Sequence, residues 1–180
     1  MKILKGILFL VLGLIVLALI VALFVKKEYS VEREITINKP KQEVYDYIKY
    51  LKNQNNFSKW AKMDPAMKTE FKGTDGTVGF ISAWESNQKD VGKGEQEIKK
   101  LTEGQRLDTE IRFIKPFEST CTAYMTTEDA GPAATKVKWV FNGKMNYPMN
   151  LMALCMNMDK MIGGDLQIGL ENLKGIMEKM

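Results

Sequence analysis

The last thirty-odd residues constrain this chain most. From Tyr147 to Met180, apolar side chains recur at Leu151, Leu154, Cys155, Met158, Met161, Ile162, Leu166, Leu170, Leu173, Ile176 and Met177. That spacing marks one stripe of an α-helix. At 1.5 Å per residue it predicts a single helix of roughly 48 Å. Pro148 suits the first helical position, where a missing N–H costs nothing, and Gly163-Gly164 predict a bend midway. So long a stripe needs an extended apolar partner, because packing rather than propensity stabilises most helices in proteins. Eight of the twelve methionines lie between Met145 and Met180, and thioether side chains adapt to irregular shapes. The helix therefore either packs as ordinary core or closes a cavity.

The partner is written upstream. Between Met67 and Asn146 the pattern changes to short alternating runs, which predict strands near Met67–Lys72, Thr77–Ser86, Val91–Glu103, Arg106–Ile114, Ser119–Thr127 and Thr135–Met145. Asp75-Gly76 is a hairpin-turn signal, and Glu103-Gly104 and Ala130-Gly131-Pro132 are further breaks. Alternation sets Val78, Phe80, Ser82 and Trp84 on one face, with Leu107, Thr109, Ile111 and Phe113, and with Val137, Trp139 and Phe141. Cys121, Ala123 and Met125 are assigned inward with them. The opposite face carries Glu85, Asp108, Glu110, Arg112, Lys136 and Lys138, as in an antiparallel sheet wetted on one side. Tyr29–Asn38 adds a seventh strand with Val31, Ile35 and Ile37 inward and a phase slip near Arg33. A helix follows from Pro40 to about Leu51, then a polar stretch in which Phe57 and Trp60 tuck inward. Seven strands at about 4.8 Å make a sheet roughly 30 Å wide. A twisted sheet around one helix leaves gaps that become ligand cavities.

Ahead of all this, Gly6–Val25 is twenty residues without a charge, which as a helix matches the hydrocarbon thickness of a bilayer. A signal peptide has a shorter apolar run and a small-x-small cleavage site; here the run ends in Leu23-Phe24-Val25-Lys26-Lys27. We read an uncleaved single-pass anchor over residues 1–27 and a folded domain over 28–180. Counting Lys and Arg favours a cytoplasmic domain, whereas the short basic N-terminus favours the reverse, so the side is left open. Twenty-six basic residues less Lys2 and Lys5 leave 24 against 22 acidic ones. Without a basic run interleaved with aromatics, nucleic acid is not an expected partner. Histidine is absent, which removes histidine acid–base chemistry and the common zinc ligand sets. Cys121 and Cys155 are expected as free, buried thiols. No metal or cofactor is expected.

Several local sequences carry a family resemblance. Phe57-Ser58-Lys59-Trp60, Met63-Asp64-Pro65, Gly73-Thr74-Asp75-Gly76-Thr77-Val78-Gly79, Trp84-Glu85, Phe113-Ile114-Lys115-Pro116-Phe117 and the run from Pro148 to Gly163 resemble the START-like (SRPBCC) superfamily. The similar branch is the bacterial polyketide-cyclase-like proteins, over roughly Tyr29 to Met180. The resemblance implies an α+β helix-grip fold, in which a curved seven-stranded antiparallel sheet surrounds a long C-terminal helix with a hydrophobic cavity between them. Members bind lipids, sterols, polyketides and other apolar molecules, and a minority catalyse cyclisation or related reactions. The anchor lies outside the family pattern.

The expected function is a membrane-anchored binding domain for a hydrophobic small molecule or lipid. Its candidate cavity-lining residues are Trp60, Phe80, Trp84, Phe113, Met125, Trp139, Met152 and Met156. Two alternatives stand beside it. One is a cyclase- or hydrolase-type enzyme on the same fold, for which Tyr124, Thr109, Ser82 and Cys121 are the available polar or thiol groups, with no catalytic pair assigned. The other is a membrane-proximal structural or interaction domain. Asp165 falls near the apolar stripe but is expected at a solvated helix position.

Overall fold

The computed structural model describes residues 2–180. Helix α1 (Lys2–Phe24) leads into strand β1 (Glu28–Ile37), followed by three short helices, α2 (Lys41–Ile48), α3 (Leu51–Phe57) and α4 (Lys59–Met63). Six strands come next: β2 (Lys68–Lys72), β3 (Ile81–Glu85), β4 (Lys93–Thr102), β5 (Arg106–Lys115), β6 (Ser119–Gly131) and β7 (Ala134–Lys144). A 3₁₀ turn (Met149–Leu151), a short helix α5 (Met152–Cys155) and the terminal helix α6 (Met158–Met177) complete the chain. All seven strands form one antiparallel sheet in the order β1-β7-β6-β5-β4-β3-β2. The first strand thus closes against the last, and α2–α4 carry the chain across to the far edge.

The inner face is the apolar one that alternation assigns. Val31, Val137, Trp139, Ala123 and Met125 pack with Leu166, Leu170, Leu173 and Met177 of α6 in the main core. Burying side chains of this size contributes about 1.5–3 kcal/mol each, which fixes α6 against β1 and β7. At Gly169 the approach is closest: a Cβ there would lie 2.7 Å from Trp139 Cζ3. Asn172 Nδ2 donates to the Phe57 carbonyl at 3.0 Å, satisfying an otherwise orphaned acceptor at the end of α3. A smaller cluster of Leu51, Phe80, Ile98 and Leu107 fills the other half of the sheet.

Several expectations are corrected. The stretch from Tyr147 is not one helix. Met156 is extended, and Asn157 caps α6 by accepting from Lys160 N at 2.9 Å. An amide side chain that satisfies an orphan N–H starts a helix better than it continues one. The remaining helix has 20 residues, about 30 Å at the helical rise, and lies along β1 and β7 at one edge of the sheet, with α3 and α4 beside it. Gly163-Gly164 do not interrupt it; a Cβ at Gly163 would meet Arg33 Nη2 at 2.2 Å, so that glycine seats the guanidinium. Strand β1 has no phase slip: Arg33 is half-buried on the same parity as Tyr29, Val31, Ile35 and Ile37.

Strand β3 begins at Ile81 rather than Thr77, which leaves Val78 exposed in the connection. Asp75 in that connection does more than turn the chain. Its carboxylate accepts from Leu51 N at 2.9 Å and Lys52 N at 3.1 Å, capping α3 from outside. Both cysteines are free, but only Cys121 is buried; Cys155 is exposed. Within α1, Ile3–Phe24 is long and apolar enough to cross a membrane.

Candidate functional site

A cavity of about 310 Å³ lies between the sheet and the helices that cover it. Alternation puts Ser82, Trp84, Ile111, Phe113, Trp139 and Phe141 on its sheet wall, and the opposite wall carries Ile162 and Leu166 of α6 with Trp60 of α4. The aromatic rings brace one another. Trp60 and Phe57 each meet Trp139 edge-on, with centroids 6.4 and 5.7 Å away, and Trp84 meets Phe113 edge-on at 6.0 Å. Trp84 Nε1 donates to the Val91 carbonyl at 3.1 Å, tying β3 to the connection before β4. Close packing of the indole on β4 requires Gly94, where a Cβ would be 2.6 Å from Trp84 Cζ2. An ion pair between Lys59 and Asp165 fastens α4 to α6 beside Trp60. Asp165 is therefore largely covered and paired, where a solvated position is expected from sequence.

Polar side chains share the lining, among them Gln54, Asn55, Thr69, Ser82, Gln96 and Ser119, together with the carboxyl of Asp90. Gln96 Nε2 donates to Thr109 Oγ1 at 3.0 Å, and Thr109 Oγ1 donates to the Ala123 carbonyl at 3.2 Å. Tyr29, stacked on Phe141 at 6.4 Å, also lines the cavity. Burial pushes its hydroxyl up to about 12, and the nearby Cys121 adds to the effect. Burial raises the Cys121 thiol as well. The aromatic and aliphatic walls suit the apolar part of a ligand, and the polar groups among them suit its orientation.

Four of the eight lining candidates meet here: Trp60, Trp84, Phe113 and Trp139. The other four do not line this space. Phe80 faces inward but stacks on Phe71 in the smaller cluster, and Met125 is buried in the main core. Met152 and Met156 precede the Asn157 cap, so they fall outside the helix that faces the sheet. Of the polar candidates, Ser82 and Cys121 line the cavity, while Thr109 is held by its hydrogen bonds. Tyr124 lies on the outer face under the Arg106 guanidinium, 3.6 Å from its ring centroid. Missed among the lining residues are Tyr29, Ile111, Phe141, Ile162 and Leu166. Period-2 alternation carries Ile111 and Phe141, and an unbroken β1 parity would have carried Tyr29. Among the described residues no three His, Cys, Asp or Glu side chains are grouped to hold a metal ion.

The model of one protein family, described as polyketide cyclase / dehydrase and lipid transport, matches residues 28–178. The chain belongs to that family. Solved structures similar to this polyketide cyclase / dehydrase and lipid transport family member agree on its SRPBCC-type helix-grip fold. An uncharacterized protein from Rhizobium leguminosarum shares 13% identity, with 86% of this chain and 97% of that one covered and a TM-score of 0.62. Truncated norcoclaurine synthase from Thalictrum flavum shares 10% identity over 85% of this chain and 95% of that one, with a TM-score of 0.61. The same enzyme has been solved with dopamine and hydroxybenzaldehyde, at 10% identity, coverage of 84% and 87%, and a TM-score of 0.62. At these identities the likeness is one of fold. No curated protein matches the family member in sequence.

Proposed function

We propose that this protein is a membrane-anchored binding protein for an apolar small molecule or lipid, held between the sheet and α6. Residues 1–27 are the anchor and residues 28–180 the binding domain. The observation that carries the reading is the aromatic- and aliphatic-lined cavity of about 310 Å³, within the size range of small-molecule sites. Trp60, Trp84, Phe113 and Trp139 are the contacts assigned to the ligand. Membership in a family described by cyclisation, dehydration and lipid transport supports the ligand class, and the uncharged length of α1 supports the anchor.

Native mass spectrometry and solvent extraction of the full chain, purified from membranes in mild detergent, test this reading. The expected result is one apolar molecule retained per chain and released by unfolding. A chain that carries none, and that takes up no uncharged environment-sensitive dye beyond a detergent-only control, overturns it.

A further inference from the structure

Asn150 joins the apolar helix to the domain. Its side chain is fully buried, and Nδ2 donates to the Ala22 carbonyl at 2.6 Å and to the Val25 carbonyl at 2.9 Å. The Ala22 carbonyl is one of the four left without a partner at the C-terminal end of α1, and Val25 is the residue that follows the helix. Ala22 is itself fully buried, whereas its neighbours Val21, Leu23 and Phe24 are exposed. The bonds set a depth. Ala22 lies inside the apolar span Ile3–Phe24, two residues from its end, which is about 3 Å along the helix axis. The 3₁₀ turn that carries Asn150 is thus level with the last turn of the span, not above it.

What surrounds that turn is apolar and uncovered. Met149, Met152 and Leu154 are exposed, Leu154 at 64%. A recess between Phe24 and Leu154 opens at the same level. Lys26 and Lys27 follow directly, where cationic side chains meet lipid headgroups.

Strand register extends the argument to the cavity. Glu28 pairs with Lys144, Phe113 with Ser119, Lys93 with Lys115, and Glu85 with both Lys93 and Lys68. The start of β1, where the anchor enters, is therefore at the same end of the sheet as Trp84, Phe113 and Ser119 of the cavity wall. The β5–β6 turn at this end exposes Phe117 at 78%. The opposite end presents Glu103-Gly104-Gln105 and Gly131-Pro132-Ala133, with Val78 and the terminal Met180 as separate exposed apolar side chains and, among the described residues, no apolar turn like Met149–Cys155.

We propose that Met149–Cys155 and the Phe117 turn form a seat in the bilayer interface, locked to the anchor by Asn150, which points the cavity end of the domain at the lipid. The proposal rests on the anchor assigned above and adds a second membrane contact and an orientation. Apolar side chains at interfacial depth gain by insertion in proportion to the area they bury.

Exposed Cys155 serves as a reporter in a Cys121→Ala background, since Cys121 lines the cavity and is replaced in every labelled chain. The full chain, labelled there with an environment-sensitive fluorophore, is reconstituted in dioleoylphosphatidylcholine vesicles containing spin-labelled lipid. A matching chain carries the probe at the far end (Ala133→Cys in Cys155→Ser). The expected result is blue-shifted emission at Cys155, with lipid quenching several-fold stronger, and quenching by aqueous iodide several-fold weaker, than at position 133. Asn150→Ala should lose most of that difference while still floating with the vesicles. Equal iodide quenching at both positions in a floating chain overturns the seat alone. An Asn150→Ala chain that keeps the difference overturns the lock. A chain that does not float overturns the anchor and the seat together.

Discussion

Arg33 on β1 and Asp159 in the first turn of α6 are joined by two hydrogen bonds, of 2.8 and 2.9 Å, between positions 126 residues apart. The guanidinium also donates to the Asp159 carbonyl at 3.1 Å and lies over Gly163, the helical position that has no Cβ to exclude it. One mid-strand residue, paired with Trp139 of the cavity wall, thereby fixes where the terminal helix starts along the sheet.

This pair should show itself in the pH dependence of unfolding. The hydrogen bond and charge of Arg33 hold the Asp159 carboxyl below its ordinary 3.8. A group lowered on folding contributes stability above its unfolded value and loses it as pH falls through the folded one. Asp159→Asn should therefore be less stable than the parent at neutral pH, by a small margin because the pair is exposed. The two thermal unfolding curves should converge in acid. A gap that persists at the lowest pH would assign the loss to something other than the ion pair.

Two glycines of α6 should respond to alanine with opposite sign. Nothing lies within 4 Å of a Cβ at Gly164, so Gly164→Ala should stabilise by roughly 0.5–1 kcal/mol through helix propensity. At Gly169 the Cβ would press on Trp139, which is buried and braced by Phe57 and Trp60. Overpacking of this kind costs about 1–3 kcal/mol, so Gly169→Ala should destabilise despite the same propensity gain. Denaturant unfolding of the full chain in detergent measures both.

Filling the cavity should abolish binding without unfolding the domain. Ser82 lines the cavity on β3 and is only partly buried, so Ser82→Trp has a large side chain to place and an empty volume to receive it. Uptake of an apolar dye should fall at least ~10-fold, equivalent to about 1.4 kcal/mol, with unfolding temperature little changed. Unchanged uptake would place the dye outside this cavity.

Tyr29 should titrate late. Its hydroxyl is raised from 10.0 to about 12, so its contribution is present below pH 10 and is lost as pH rises through about 12. Tyrosinate absorbance should show a late component that Tyr29→Phe reduces; Tyr45, also raised by burial, keeps the remainder. If Tyr29→Phe leaves the late component whole, the hydroxyl is not buried in solution.

Much of this molecule was legible before any coordinates. Period-2 alternation put Leu107, Thr109, Ile111 and Phe113, and likewise Cys121, Ala123 and Met125, on the inner face because a strand's side chains have only two directions. The stripe Leu166-Leu170-Leu173-Met177 identified a helix packed on the inner face, because its spacing has one solution at 3.6 residues per turn; that this helix covers only the β1–β7 side, leaving Leu107 to Leu51 of α3, was decided by the fold. Arg33 misled the phase of β1, since a charged residue at an inward position reads as a slip unless its partner is known. Asp159 is that partner, and the pairing exists only in the fold. Asn157 likewise carries a cap signal, yet the apolar spacing on both sides of it argues for one unbroken helix.

Local periodicity and solvation were enough to give the strand and helix classes, the inner face of β5–β7 and the apolar span ahead of them. Tertiary structure decided which inward residues meet empty space and which meet each other. Phe80 and Trp84 share a strand-side parity, but Phe71 covers one while the cavity borders the other. That difference depends on distances between elements remote in sequence, which no local pattern encodes. The same holds for Asn150, an ordinary polar residue in the chain and a buried bridge to Ala22 and Val25 in the fold.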